Sequence, residues 1–140
     1  NIVSLSGGIT LMAEGMTKIM TAKTAPSIMA VSASVMSFFS SGLGVVFPTL
    51  IPTSSIIADN LGIVHYAKEL VTMVTVGGTF TGISPISTTG ALIMSAVISD
   101  EQVKDKFPQN KLFLELVFWA FFTIILEVIL AYLGIYKLFF

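Results

Sequence analysis

The chain has no cysteine, no arginine and a single histidine among its 140 residues. Without cysteine there is no disulfide framework, no thiolate metal site and no cysteine nucleophile. One imidazole, His65, cannot assemble a histidine zinc site. Charge is scarce as well. Only 11% of residues are charged, against about 25% in a typical soluble domain. The seven lysines and eight acids give a net charge of −1 and no basic face for nucleic acid. What fills the space is apolar: 54% of the chain is hydrophobic and its mean hydropathy is +0.93. That balance cannot solvate a globular surface and implies an all-α integral membrane chain embedded in a lipid bilayer. The first residue is Asn1, and no basic region with a cleavage site follows it, so the chain is expected to be part of a larger transporter or channel.

A hydrocarbon core of about 30 Å takes about 20 helical residues. The segment 112–136 meets that length and ends in Tyr132, Tyr136 and Lys137, side chains suited to a membrane interface. It is expected to be a full transmembrane helix. The stretch before it, 99–111, carries three acids and three lysines and reads as an aqueous loop. Residues 1–20 read as an apolar helix packed among others, with Gly7, Gly8, Glu14 and Gly15 along it. After the loop Thr21 to Pro26, residues 27–57 form a long apolar run interrupted at Ser40-Ser41-Gly42-Leu43-Gly44. Each arm has about 13 residues, or about 20 Å of helix, too short to cross and long enough to reach the middle and return. A re-entrant helical hairpin is the expectation. The polar connection Asp59 to Glu69 leads into a second apolar run, 70–98, interrupted by Thr81-Gly82-Ile83-Ser84-Pro85-Ile86-Ser87-Thr88-Thr89-Gly90. Pro85 removes a donor and disfavours helix at Ser84, so this run predicts a discontinuous transmembrane helix.

Two interrupted helices at one depth carry a chemical implication. Unpaired backbone in hydrocarbon costs several kcal/mol per group, so such segments are buried in protein or line a watery cavity. Helices restarting near Leu43 and near Thr88 would point free amides and positive dipole ends at an anion, while carbonyls and hydroxyls hold a cation. The candidate substrate residues are Ser40, Ser41, Gly42, Ser84, Pro85, Ser87 and Thr88, and the candidate Na⁺ residues are Ser41, Gly44, Gly82 and Ser87. The same residue types also serve close helix packing, as in Gly78-x-x-x-Gly82, and this reading stays open beside the first.

At these residues the chain resembles the divalent anion:sodium symporter family and the wider ion-transporter superfamily, with malonate-carrier-like permeases among its members. Ser40-Ser41-Gly42-Leu43-Gly44, followed by Phe47-Pro48-Thr49-Leu50-Ile51-Pro52, resembles the hairpin tip and descending arm of the second repeat. Thr81 to Gly90 resembles the broken helix after it. The chain departs from the symporters in having Ser41 and Gly42 where they place Asn and Thr. The resemblance implies the C-terminal inverted repeat of a secondary transporter that moves a small organic anion, a dicarboxylate, with Na⁺ or H⁺. It further implies an N-terminal repeat completing the site, a homodimer, and a bacterial or archaeal inner (plasma) membrane, with the loop 99–111 on the cytoplasmic side. The lysines do not choose an orientation: Lys104, Lys106 and Lys111 fall on one side, Lys18, Lys23, Lys68 and Lys137 on the other.

No enzyme is expected. The stretch Gly82-Ile83-Ser84-Pro85-Ile86 lacks the second glycine of a nucleophile elbow, there is no phosphate-binding Gly-Lys-Ser/Thr loop, and no cofactor is implied beyond a coupling Na⁺. A non-transporting structural subunit is the alternative. Glu127, deep in the last helix, is either a proton-coupling group or a neutral packing residue. Glu115 lies about 120° round from it, so the two form no pair on one face. Glu14 raises the same question nearer an interface, and His65 reads as exposed or interfacial.

Overall fold

The computed structural model describes residues 7–135, which are helical with no strand among them. Six α-helices follow in order: α1 (Gly8–Thr17), α2 (Ala25–Phe39), α3 (Phe47–Asn60), α4 (Ala67–Phe80), α5 (Thr88–Ser99) and α6 (Gln109–Tyr132). A π-helical turn, Gly42–Val46, leads straight into α3, and short 3₁₀ turns at Val64–Tyr66 and Thr81–Ile83 flank α4. Three helical runs are long and apolar enough to cross a membrane: Gly42–Asn60, Gln109–Tyr132, and Val64–Ser99, the last with its interruption at 84–87. The first part of the expected opening helix, and the Tyr136–Lys137 anchor, lie outside the described residues.

The bundle is built on small residues. Along α2, Met29, Ala30, Ala33, Ser34, Ser37 and Phe38 are buried at helical spacing; along α4, Leu70, Met73, Val74, Gly77 and Gly78 answer them. Such narrow faces let two backbones approach closely, which is how membrane helices gain van der Waals contact. Gly77 shows how close: a Cβ there would sit 2.8 Å from the Ala30 carbonyl and 2.8 Å from Ser34 Oγ. α3 closes the core with Leu50, Ile57 and Ala58, and α1 adds Ala13. The large apolar side chains of α6, among them Phe118, Trp119, Phe122, Ile125 and Ile129, point outward, as a lipid-facing surface requires.

Side-chain pairings fix the helix directions. Ser34 lies beside Gly77 and Ser37 beside Gly82, so α2 and α4 run the same way. Phe38 packs on Phe121 with ring centroids 5.2 Å apart, Ser34 bonds Glu127, and Lys23 sits 5.4 Å from the ring centroid of Tyr132. The helix α6 therefore runs antiparallel to α2. The start of α2 is level with the end of α6, and the end of α2 reaches only to Phe121, near the middle of that 24-residue helix.

The structure departs from the sequence reading in several boundaries. The helix after the first interruption restarts at Gly42, one residue from the expected Leu43, and a π-helical turn absorbs both glycines that were read as part of the break. Val46 and Phe47 donate to Ser41 and Gly42 five residues back. The returning limb is thus 19 residues, not about 13, and length alone no longer prevents it from crossing. Pro52 stays inside α3, although it has no N–H for the Pro48 carbonyl. Pro26 falls in the first turn of α2, where a missing N–H costs nothing. Glu69, expected in the polar connection, is buried in the first turn of α4.

Candidate functional site

Both interruptions end in the same device. Ser41 caps the first restart, its Oγ accepting the Gly44 amide at 3.1 Å. Ser87 caps the second, its Oγ accepting the Gly90 amide at 3.1 Å. In each case a serine bonds the third amide of the new helix, and that third residue is glycine. The repeated pattern is Ser41-Gly42-Leu43-Gly44 and Ser87-Thr88-Thr89-Gly90. A serine cap satisfies one of the orphan donors of a helix start. The first two amides of each helix, at Gly42 and Leu43 and at Thr88 and Thr89, have no carbonyl one turn back to bond.

The two restarts meet at one cavity of about 280 Å³. Ser41, Gly42 and Leu43 line it from the first restart and Thr89 from the second. Gly78, Thr79 and Gly82 at the end of α4, with the ring of Phe47, complete the wall. No charged side chain lines it. Any anion held there would be held by amide dipoles and hydroxyls, the donor set of a helix-start site. The cavity is kept open by backbone: a Cβ on Gly42 would lie 3.0 Å from the Gly78 carbonyl oxygen.

The residues nominated from the sequence divide. Ser41, Gly42 and Gly82 line the cavity together. Gly44 folds onto Ser41, where an added Cβ would sit 3.3 Å from Oγ. Ser40 turns away and donates to the Met36 carbonyl at 2.6 Å, inside its own helix. Ser84 and Pro85 are buried beneath the second interruption, Ser84 Oγ accepting the Ile86 amide at 3.3 Å. Ser87 is buried, and its hydroxyl lies against the carbonyls of Gly82 and Ser84 while it accepts from Gly90. It supports the turn from beneath. Thr88 is exposed at the first helical position, and the cavity is lined by Thr89 instead. Sequence reasoning missed Phe47, Thr79 and Gly78 as lining residues. The Ser-x-x-Gly pattern at Ser41 and Ser87 could have marked the two capped starts, although Ser4-Leu5-Ser6-Gly7 matches it too, and it says nothing of these three wall residues.

Glu127 lies in the seam between α2, α4 and α6, 4% exposed. Ser34 Oγ donates to its Oε2 at 3.0 Å, and Oε1 is buried with no hydrogen-bond partner. His65 is exposed, as its polar surroundings indicated. Among the described residues no three His, Cys, Asp or Glu side chains gather as a metal-holding group. No protein-family model, curated protein or solved structure matches the chain.

Proposed function

We propose that the chain is half of the binding unit of a secondary transporter for a small organic anion, a dicarboxylate, with the cavity between the two helix restarts as its site. The observation that carries this reading is the convergence of two serine-capped helix starts on one uncharged cavity. The end of α2, beside that cavity, is level with the middle of α6. In a bilayer that level is the midplane, where discontinuous helices bind substrates and ions in carriers.

In this reading α2 and the Gly42–Asn60 limb form the re-entrant hairpin, and α4 and α5 form the broken helix of an inverted repeat. The amides of Gly42, Leu43 and Thr89 and the hydroxyl of Ser41 hold carboxylate. The carbonyls around Gly82 face a coupling Na⁺; coupling to H⁺ instead requires a titratable group, which the cavity wall lacks. An N-terminal repeat supplies the facing half, and the carrier works as a homodimer in a plasma membrane without a further cofactor. The packing alternative draws on the small-residue seam between α2 and α4. That seam accounts for Ala30, Ser34 and Gly77 but gives no reason for two capped starts to face one cavity.

The test is uptake of radiolabelled malonate and succinate by the full-length protein in liposomes, with Na⁺ and then with choline in its place. Saturable uptake, with half-maximal concentration raised about tenfold by Ser41→Ala, supports the site, because one charge-assisted hydrogen bond contributes about 1.5–3 kcal/mol. Uptake no greater than in empty liposomes removes the carrier reading and leaves the structural subunit.

A further inference from the structure

The cavity does not account for Glu127. A carboxylate within a membrane helix is costly and calls for a counter-charge, a proton or a cation. Among the described residues, none of the elements packed around it supplies a counter-charge. α2 (Ala25–Phe39) and the Thr81–Ile83 turn contain no titratable side chain. On α4 the nearest are Glu69 and Lys68, eight and nine residues from Gly77, about 12 Å or more along the helix. On α6 itself Glu115 and Lys111 are twelve and sixteen residues away, and these two pair with each other at 3.8 Å. Lys23 is placed over the Tyr132 ring, beyond the next turn.

The immediate surroundings are oxygen atoms and the backbone N–H of Gly77. Ser34 Oγ bonds Oε2, and the Ala30 carbonyl, Ser34 Oγ and Glu127 Oε1 all lie within 3.0 Å of the point where a Gly77 Cβ would stand. Oε1 has no partner of its own. A hydrogen on Oε1 removes the charge and turns an acceptor into a donor. The next residue lies about 100° further round α4 and also packs on α2. The Gly78 carbonyl accepts from Ser37, and Gly78 lines the cavity. One peptide step of α4 thus separates the Glu127 seam from the candidate substrate site.

We propose that the Ser34–Glu127–Gly77 junction is the proton site of this protein, loaded while α2, α4 and α6 are packed and unloaded when α4 shifts and admits water, with Gly77-Gly78 linking it to the cavity. Loading forms one O–H bond on Oε1, and release to water breaks it; no electron moves and no other group is transferred. The transport role of the site rests on the carrier reading; its proton chemistry does not.

The test is infrared difference spectroscopy of the full-length protein in lipid, titrated from acid to alkaline pH in H₂O and in D₂O. The expected result is a carbonyl-stretch band of a protonated carboxyl that shifts in D₂O, disappears reversibly on raising the pH and is missing in Glu127→Gln. Ser34→Ala keeps the carboxyl and removes its hydrogen bond, so it should shift the band without abolishing it, and it serves if Glu127→Gln does not fold. No such band at any pH, an undiminished band in Glu127→Gln, or an unshifted band in Ser34→Ala overturns the proposal. In sodium-free liposomes an imposed proton gradient should raise malonate or succinate uptake several-fold in the parent and not in Glu127→Gln; an equal response in both overturns the coupling. A parent that shows the band but takes up neither acid keeps the proton site and loses the carrier reading.

Discussion

Ser37 donates a 2.6 Å hydrogen bond to the carbonyl of Gly78, tying the last turn of α2 to the last turn of α4 beside the cavity. The same oxygen lies 3.0 Å from where a Cβ on Gly42 would be. Three elements that end or begin at this level therefore share one backbone atom: α2, the restart after it, and α4. Residues 41 positions apart in the chain are brought to one point by an absence of side chains. Gly42 and Gly78 are thus part of the construction of the cavity, as well as part of its wall.

The close approach of α2 and α4 gives a prediction on stability. Gly77→Ala places a methyl 2.8 Å from both the Ala30 carbonyl and Ser34 Oγ, and 3.0 Å from Glu127 Oε1. Backbone cannot yield cheaply, so the cost should be about 1–3 kcal/mol. Gly15, in α1, has nothing within 4 Å of its added Cβ. Gly15→Ala should instead stabilise by about 0.5–1 kcal/mol through helix propensity. Thermal unfolding in detergent of the two variants beside the parent checks the pair; equal shifts would contradict the packing described.

Ser87 and Thr89 should separate folding from binding. Ser87 is buried and caps α5, so Ser87→Ala should lower stability by about 0.5–2 kcal/mol. Thr89 is exposed and lines the cavity. Thr89→Val should leave unfolding within about 0.5 kcal/mol of the parent, as surface changes do. In the carrier reading it should still weaken dicarboxylate uptake. Paired melting curves and uptake concentration series read both quantities; a destabilised Thr89→Val with normal uptake would reverse the assignment.

The interruptions were legible in the sequence because Gly, Ser and Pro act locally. Pro85 and the serines and glycines around it loosen the helix locally, and α5 begins at Thr88 as expected, whereas Gly42, Gly44 and Pro52 lie within helical turns. The interior of each turn was less legible. A π-helical turn is chosen by how Gly42 and Gly44 fit against Ser41 and Gly78, which is tertiary information. It added Gly42, Leu43 and Gly44 to the returning limb, which also runs on past Ile57 to Asn60. The assignment of Ser40 and Ser87 to the site reflected composition: a hydroxyl near a break is useful to a ligand and to the helix alike. Helix geometry gave Ser40 to Met36, and the cap gave Ser87 to Gly90. Phe47 and Thr79 carried no local signal, since an aromatic ring and a threonine in apolar helices are ordinary until a neighbour is known.

The length of the Gly42–Asn60 limb makes the depth of its first residues the decisive topological measurement. Leu43 is 81% exposed at the restart. If α2 turns back at the midplane, Leu43→Cys should react with a small thiol reagent that enters the cavity. It should resist a bulky impermeant reagent added from either side. Ala22→Cys and Asn60→Cys, both at exposed positions, should react with the bulky reagent from one common side, and Asp100→Cys from the other. Rapid reaction of Leu43→Cys with the bulky reagent from the Asp100 side would mean that both limbs cross.

Gly42→Ala tests the cavity by volume. Its methyl would enter a space of about 280 Å³, 3.0 Å from the Gly78 oxygen and 3.7 Å from Phe47 Cζ. The Phe47 ring is partly exposed and packs on Gly78, whose carbonyl is held by Ser37. The substitution should shrink the cavity more than it unfolds the bundle. In the carrier reading, succinate uptake should fall more than malonate uptake, because the longer diacid needs the lost space. Enlarging the wall by Phe47→Leu in the same background should restore part of the succinate rate. Competition between the two acids in one uptake assay gives the ratio directly. A ratio unchanged by Gly42→Ala, with both rates near the parent's, would place the ligand outside this cavity.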